Sequence, residues 1–138
     1  ATRAGLANVC ITARPSRPAY DGELVEDPLS GSGTWRRAPH LKWVTRPEHL
    51  ARAAARQAEL LRQLAPLVRP GGLLVHATCS LARSENAAVV AAFLREHPAF
   101  SPEPPAADFG FAPAEGSLTV WPARHDTDGF FVAALRRG

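Results

Sequence analysis

The chain has 138 residues, 46% hydrophobic and 21% charged, which allows one globular domain and excludes a disordered tail, a collagen-like fibre or a disulfide-built miniprotein. No apolar run is long enough to cross a bilayer, the N-terminus lacks a signal core, and two cysteines form no framework, so the setting expected is reducing and cytoplasmic. The formal charge of +3 comes from 16 basic residues, all arginine except Lys42, and permits a nucleic-acid partner without demanding one.

Residues 1–22 give no single reading. Ala4 to Val9 fits the end of a helix, Val9 to Thr12 a short strand, and Arg14-Pro15-Ser16-Arg17-Pro18 a loop. Asp21-Gly22 signals a turn, and Glu23 to Glu26 a short strand ended by Pro28. A polar, glycine-containing loop runs from Ser30 to Arg37. Thr45-Arg46-Pro47-Glu48 reads as a capping box with Thr45 as N-cap. Leu50, Ala54, Ala58, Leu61, Leu64 and Val68 then recur at helical spacing, and Pro70-Gly71-Gly72 is expected to stop that helix.

Leu73 to Thr78 is a nearly continuous apolar run, as in a parallel strand buried on both faces, with Cys79 at its carboxyl end. A second helix is expected from Ser84 to Glu96, closed by Pro98, and a proline-rich loop from Ser101 to Pro113. Leu118 to Trp121 and Phe130 to Leu135 read as a terminal hairpin. The order strand, helix, strand, helix, hairpin indicates an α/β fold with a mixed sheet. No internal repeat is found.

Ligands of open α/β sheets bind beyond the carboxyl ends of the strands. Two segments meet that condition: the loop after Glu26, leading to Arg36 and Arg37, and the corner Thr78-Cys79-Ser80. If their strands are neighbours, a carboxylate and a thiol face one crevice. Plain alternatives stand beside this. A cysteine after a buried strand is commonly a small core residue, Gly31-Ser32-Gly33 lacks both the P-loop lysine and the dinucleotide glycine spacing, and paired arginines are commonly solvated. No metal is expected, because no paired-cysteine or paired-histidine spacing occurs, and His76 and Cys79 point to opposite faces of a strand.

Three motifs carry a resemblance. Tyr20 to Arg37, with Glu26-Asp27-Pro28-Leu29-Ser30-Gly31-Ser32-Gly33-Thr34 at its centre, resembles the fourth motif of the NOL1/NOP2/Sun family of RNA cytosine-C5 methyltransferases, closest to the bacterial 16S ribosomal RNA branch. Pro70 to Leu81, followed by Glu85-Asn86, is similar to its sixth motif, and His125 to Ala133 to its closing Asp-Gly-Phe-Phe motif. The resemblance implies a partial Rossmann-like, S-adenosylmethionine-dependent methyltransferase fold, with residues 1–138 as a single partial domain. It implies Cys79 as the nucleophile that adds to C6 of cytosine, and Glu26 as the carboxylate between cofactor and base. Pro28, Ser30, Gly31, Arg36 and Arg37 become RNA-facing residues, with ribosomal RNA as partner and S-adenosylmethionine as cofactor.

Departures from the family pattern are equally specific. Leu29 occupies the place of the family's second cysteine, which helps release product, and Glu26 replaces an aspartate. Arg14, or a neighbour, falls where a cofactor-binding aspartate is usual, and the glycine-rich first motif has no counterpart. A chain of this extent is expected to be marginally stable, or to need a partner or further sequence to complete its sheet. A degenerate, non-catalytic RNA-binding module is the alternative reading, and a plain structural fragment with an inert cysteine is a third.

Overall fold

The computed structural model describes residues 8, 9, 12, 19–26, 29–104 and 116–138. The readings placed on Ala4 to Val9 (Asn8 and Val9 apart), on Cys10 and Ile11, on the Arg14 to Pro18 loop, on Pro28 and on most of the proline-rich loop lie outside the described residues.

Strand β1 (Tyr20–Glu26) and strand β2 (Val68–Thr78) pair in parallel, Glu26 standing opposite Ala77. Between them run a short helix α1 (Leu41–Val44) and the long helix α2 (Pro47–Leu64). Helix α3 (Ala87–Glu96) follows, then strand β3 (Phe100–Pro102), strand β4 (Ser117–Val120), the short helix α4 (Pro122–His125) and strand β5 (Phe130–Arg137). β5 pairs antiparallel with β2, and its far edge is shared by β3 along its last residues and β4 along its first. The result is a five-stranded mixed sheet in the order β1-β2-β5-β3, with β4 beside β5. The terminal hairpin is the one expected, with α4 inserted in its connector.

The core forms where both long helices meet one face of the sheet. Val25, Leu74 and Leu135 from the sheet pack against Leu61 of α2 and Val89 and Phe93 of α3. Leu61, Leu74 and Leu135 are fully buried, each stabilising the fold by about 2 kcal/mol. Phe100 joins this cluster edge-on to Phe93, with ring centroids 5.3 Å apart. The opposite face is different. The rung Leu24–Val75–Ala134 lies there, and Leu24 is 62% exposed. On β2 itself that face is half-buried at Leu73 and Val75 and buried at Ala77, so the expectation of a strand buried on both faces holds fully on the side that α2 and α3 cover and in part on the other.

Helix α3 begins at Ala87 rather than at the expected Ser84, because residues 83–86 form a hydrogen-bonded turn, and three further boundaries differ from the sequence reading. Arg46, not Thr45, is the N-cap of α2. Proline lacks an amide hydrogen and suits the first helical position, so the cap falls on the extended residue just before Pro47. Thr45 instead donates its hydroxyl back to the Leu41 carbonyl, closing α1. The helix ends at Leu64, before a 3-10 turn over Ala65–Leu67. Pro70-Gly71-Gly72 thus does not stop it but lies inside β2, at an irregularity where the partner of β1 advances from Val68 to Leu73. Asp21-Gly22 sits in β1 at the same irregularity rather than in a turn.

Candidate active site

Parallel pairing carries the carboxyl ends of β1 and β2 to the same rim, where the Glu26 charge reaches Cys79. Cys79 is a free, partly exposed thiol just past the end of β2. Its setting disfavours the thiolate. Burial pushes the thiol above its ordinary range, the carboxylates of Asp128 and Glu26 push it further, and only the Arg37 guanidinium pulls it down.

The corner is held by main chain. Gly33 donates its amide to the Cys79 carbonyl at 2.8 Å, and Gly129 donates to the Gly33 carbonyl at 2.8 Å. This stacks the loop after β1, the corner after β2 and the start of β5 on one another. A Cβ on Gly33 would stand 2.1 Å from the Gly129 carbonyl oxygen and 2.6 Å from that of Cys79, so no side chain fits. Gly31 precedes this contact with a left-handed φ of 74° and begins the 3-10 turn Ser32–Thr34.

Side chains then lock the two loops together. Ser30 donates its amide to Glu85 Oε2 at 2.8 Å, and the Ser32 and Ser80 hydroxyls lie 3.0 Å apart. The amides of Leu81 and Ala82 donate to the Ser32 and Ser80 hydroxyls at 2.9 and 3.1 Å. Asn86 donates to the Ser80 carbonyl at 2.8 Å and accepts the Thr78 hydroxyl at 2.7 Å. Glu85 and Asn86, in the turn before α3, are both buried, so these bonds are shielded from water. His76, also buried, lies with Nε2 3.1 Å from the Glu85 carbonyl and its ring edge-on to Phe131, on the helix-covered side of the sheet.

Of the residues singled out in the sequence, Glu26, Ser30, Gly31 and Cys79 belong to this one neighbourhood, while Pro28 lies outside the described residues. Arg36 and Arg37 stand at the rim, each engaged by the closing hairpin. Arg36 pairs with Asp126 at 2.5 Å and Arg37 with Asp128 at 2.6 Å. Arg37 is 70% exposed, so its pair contributes little net stability and leaves the guanidinium open to a competing anion. Asp128 went unnoticed as a site residue, although it lies in the motif that carried the resemblance. One of its oxygens, Oδ1, is buried without a hydrogen-bond partner among the described residues, and its charge reaches Cys79. Ser80, Glu85 and Asn86 were likewise visible only as motif letters. Among the described residues, no group of three or more His, Cys, Asp or Glu side chains is placed to hold a metal.

Comparison with known proteins places this arrangement. A family profile described as 16S rRNA methyltransferase RsmB/F matches residues 7–136. The chain is 40% identical over 124 residues to the probable ribosomal RNA small subunit methyltransferase B of Bacillus subtilis, covering 86% of this chain and 28% of that protein. It is 41% identical over 114 residues to ribosomal RNA small subunit methyltransferase B of Thermus thermophilus, covering 83% of this chain and 28% of that protein. Among solved structures, PH0851 superposes with a TM-score of 0.79 at 38% identity, over 85% of this chain and 26% of that one. NSun6 from Pyrococcus horikoshii, solved with SFG, gives 0.70 at 29% identity, over 83% and 29%. The chain therefore spans roughly 28% of the length of these curated relatives and carries an open mixed sheet of the same fold. A profile match over nearly the whole chain, with Cys79 and its supporting loops inside it, means that this chain belongs to the RsmB/F family of 16S rRNA methyltransferases.

Proposed function

We propose that this chain carries the nucleophile and the RNA-facing loop of an RNA cytosine-C5 methyltransferase acting on ribosomal RNA in the cytoplasm. The observation that supports it is the crevice shared by Cys79, Glu26 and Asp128 at the carboxyl end of two parallel strands. The target cytosine leaves its stack to reach the partly buried thiol. Cys79 gives its proton to solvent, Sγ bonds to C6 as the C5=C6 π bond breaks, and the electron pair that this leaves on C5 makes that carbon nucleophilic. The two carboxylates that oppose the Cys79 thiolate suit the positive sulfonium of S-adenosylmethionine, with Glu26 nearest in role. When bound, that cofactor supplies the methyl group that C5 accepts. Arg36 and Arg37 hold backbone phosphate, which positions the RNA without reading its sequence. Release then needs the C5 proton removed and the Sγ–C6 bond broken, and Leu29 has no group that accepts a proton.

The test is an RNA oligonucleotide carrying 5-azacytidine, which traps C6 adducts. A protein–RNA band that survives denaturing electrophoresis and disappears in Cys79→Ala is the expected result. Absence of the band, or its persistence in Cys79→Ala, rejects the assignment. Leu29 and the raised thiol favour a second reading, an RNA-binding module without turnover. It predicts salt-dependent RNA binding with no adduct.

A further inference from the structure

The stretch from Thr34 to Pro47 contains Arg36, Arg37, Lys42 and Arg46, two tryptophans and no acidic residue. Aromatic rings interleaved with cations are the composition of a surface that grips single-stranded nucleic acid. The structure divides these residues into two groups. Arg36 and Arg37 are engaged by Asp126 and Asp128, and Trp35 is half-buried with its indole nitrogen inside the fold. Lys42, Trp43 and Arg46 are turned outward and, among the described residues, neither cation has an ion-pair partner.

Trp43 is 79% exposed and Val44 beside it is 59% exposed, an unusually open setting for a tryptophan. Lys42 Nζ lies 4.7 Å from the centroid of the Trp43 ring, a cation–π contact that orients the ring while leaving an exposed aromatic surface. The knob is also rigidly joined to the crevice. Arg37 and Ala38 donate their amides to the Thr34 carbonyl and Leu41 to that of Ala38, a continuous run of turns from the 3-10 segment into α1. Thr45, at the end of α1, lines a cavity of about 230 Å³ together with Ser32, Trp35, Leu50, Leu81 and Ala82, so α1 ends beside both loops that hold Cys79.

We infer that α1 is a stacking platform for a nucleobase flanking the target, with Trp43 as the stacking surface and Lys42 and Arg46 taking phosphate. This rests on the RNA-methyltransferase reading and extends it from the crevice to the path of the strand beyond. The surplus of cations, with Glu48 the one acid adjoining the stretch, favours a polyanion over a protein partner, and the flat exposed ring favours single-stranded RNA over a duplex, whose bases are already stacked.

The test is fluorescence anisotropy of a labelled, cytidine-rich single-stranded 12-nucleotide RNA, with the wild-type chain and the variants Trp43→Ala, Trp43→Phe, Lys42→Gln and Arg95→Gln. Trp43→Ala is expected to weaken binding about tenfold, the loss of one stacked base, without changing its salt dependence. Trp43→Phe keeps most of the affinity, and Lys42→Gln lowers the salt slope by about one contact. Arg95→Gln, an exposed cation on α3, leaves affinity unchanged. Equal affinity of Trp43→Ala and wild type overturns the inference, as does a wild-type chain that binds no RNA. Unchanged RNA affinity combined with loss of self-association in Trp43→Ala overturns it in favour of a protein contact. The adduct assay is read separately: an adduct with an inert Trp43 sinks the platform alone, and a weakened Trp43→Ala without any adduct sinks the catalytic assignment alone.

Discussion

The amide of Gly33 donates to the carbonyl of Cys79 across 2.8 Å, so the backbone of one site loop fixes the position of the nucleophile on the other. Because Gly129 closes on Gly33 from the far side, there is no direction in which a side chain at Gly33 can grow. Gly33→Ala is expected to destabilise the fold by about 3 kcal/mol, as overpacking against rigid main chain does. Gly22→Ala is the control, since its added carbon meets only the Leu73 carbonyl oxygen at 3.6 Å. Urea denaturation of both variants checks this, and equal midpoints would contradict it.

Cys79 should alkylate more slowly than an unstructured cysteine at neutral pH, because burial, Asp128 and Glu26 all disfavour its thiolate. Asp128→Asn removes one of those charges and frees Arg37 to face the sulfur, so iodoacetamide should react faster with that variant. The sign for stability follows from linkage. A thiol that titrates higher in the folded chain than in the unfolded one contributes stability that is complete below the unfolded value and lost as pH rises through the folded one. Stability should thus fall on the alkaline side, and Cys79→Ser should abolish that part of the fall.

Asn86 satisfies two buried groups at once, the Thr78 hydroxyl and the Ser80 carbonyl. Asn86→Ala leaves the Ser80 carbonyl without this donor and the Thr78 hydroxyl proton without an acceptor, although Thr78 still accepts the Ser80 amide, and should cost about 2 kcal/mol. Calorimetric melting measures the loss, and a change within error would mean that the corner relaxes or that water replaces the amide.

By the motif resemblance Leu29 stands at the place of the family's second cysteine, and it offers nothing that takes a proton. If Cys79 adds to cytosine, the covalent complex with unmodified RNA should be long-lived, and Leu29→Cys should shorten its lifetime at least tenfold. Quenched time courses on denaturing gels give both lifetimes. Equal decay rates would show that release does not pass through this position.

Among the described residues β1 is an edge of the sheet, and the rung it heads leaves Leu24 62% exposed. Unpaired edges with apolar side chains associate. Leu24→Lys should reduce concentration-dependent association in sedimentation velocity while changing unfolding free energy by less than about 0.5 kcal/mol. A wild-type chain that stays monomeric at high concentration would show that this face does not drive association.

The strands were legible where the apolar run was long. Leu73 to Thr78, interrupted only by His76, and Phe130 to Leu135 announce β2 and β5 because such apolar or β-branched runs leave little else. β3 was not legible, since three residues carry no period and Phe100 is strand only by pairing with Arg137. Pro70-Gly71-Gly72 misled because the same dipeptides that end a helix also build an irregularity within a strand, and only the partner strand decides between them. At the site, Cys79 and Glu26 could be matched through strand ends, a local feature. Asp128, Glu85 and Asn86 act across distances that no spacing encodes, so their roles waited for the hydrogen bonds and charges themselves.

The frame around Cys79 is drawn largely in peptide groups, which every residue brings regardless of its side chain. A mutation at Leu29 or Glu26 changes what the crevice can do without removing a single strut from the Gly33–Cys79–Gly129 stack. Chemistry in such a lineage is free to drift, weaken or be regained while the architecture is inherited intact. The glycines, not the reactive groups, are then the positions at which selection has no room to move.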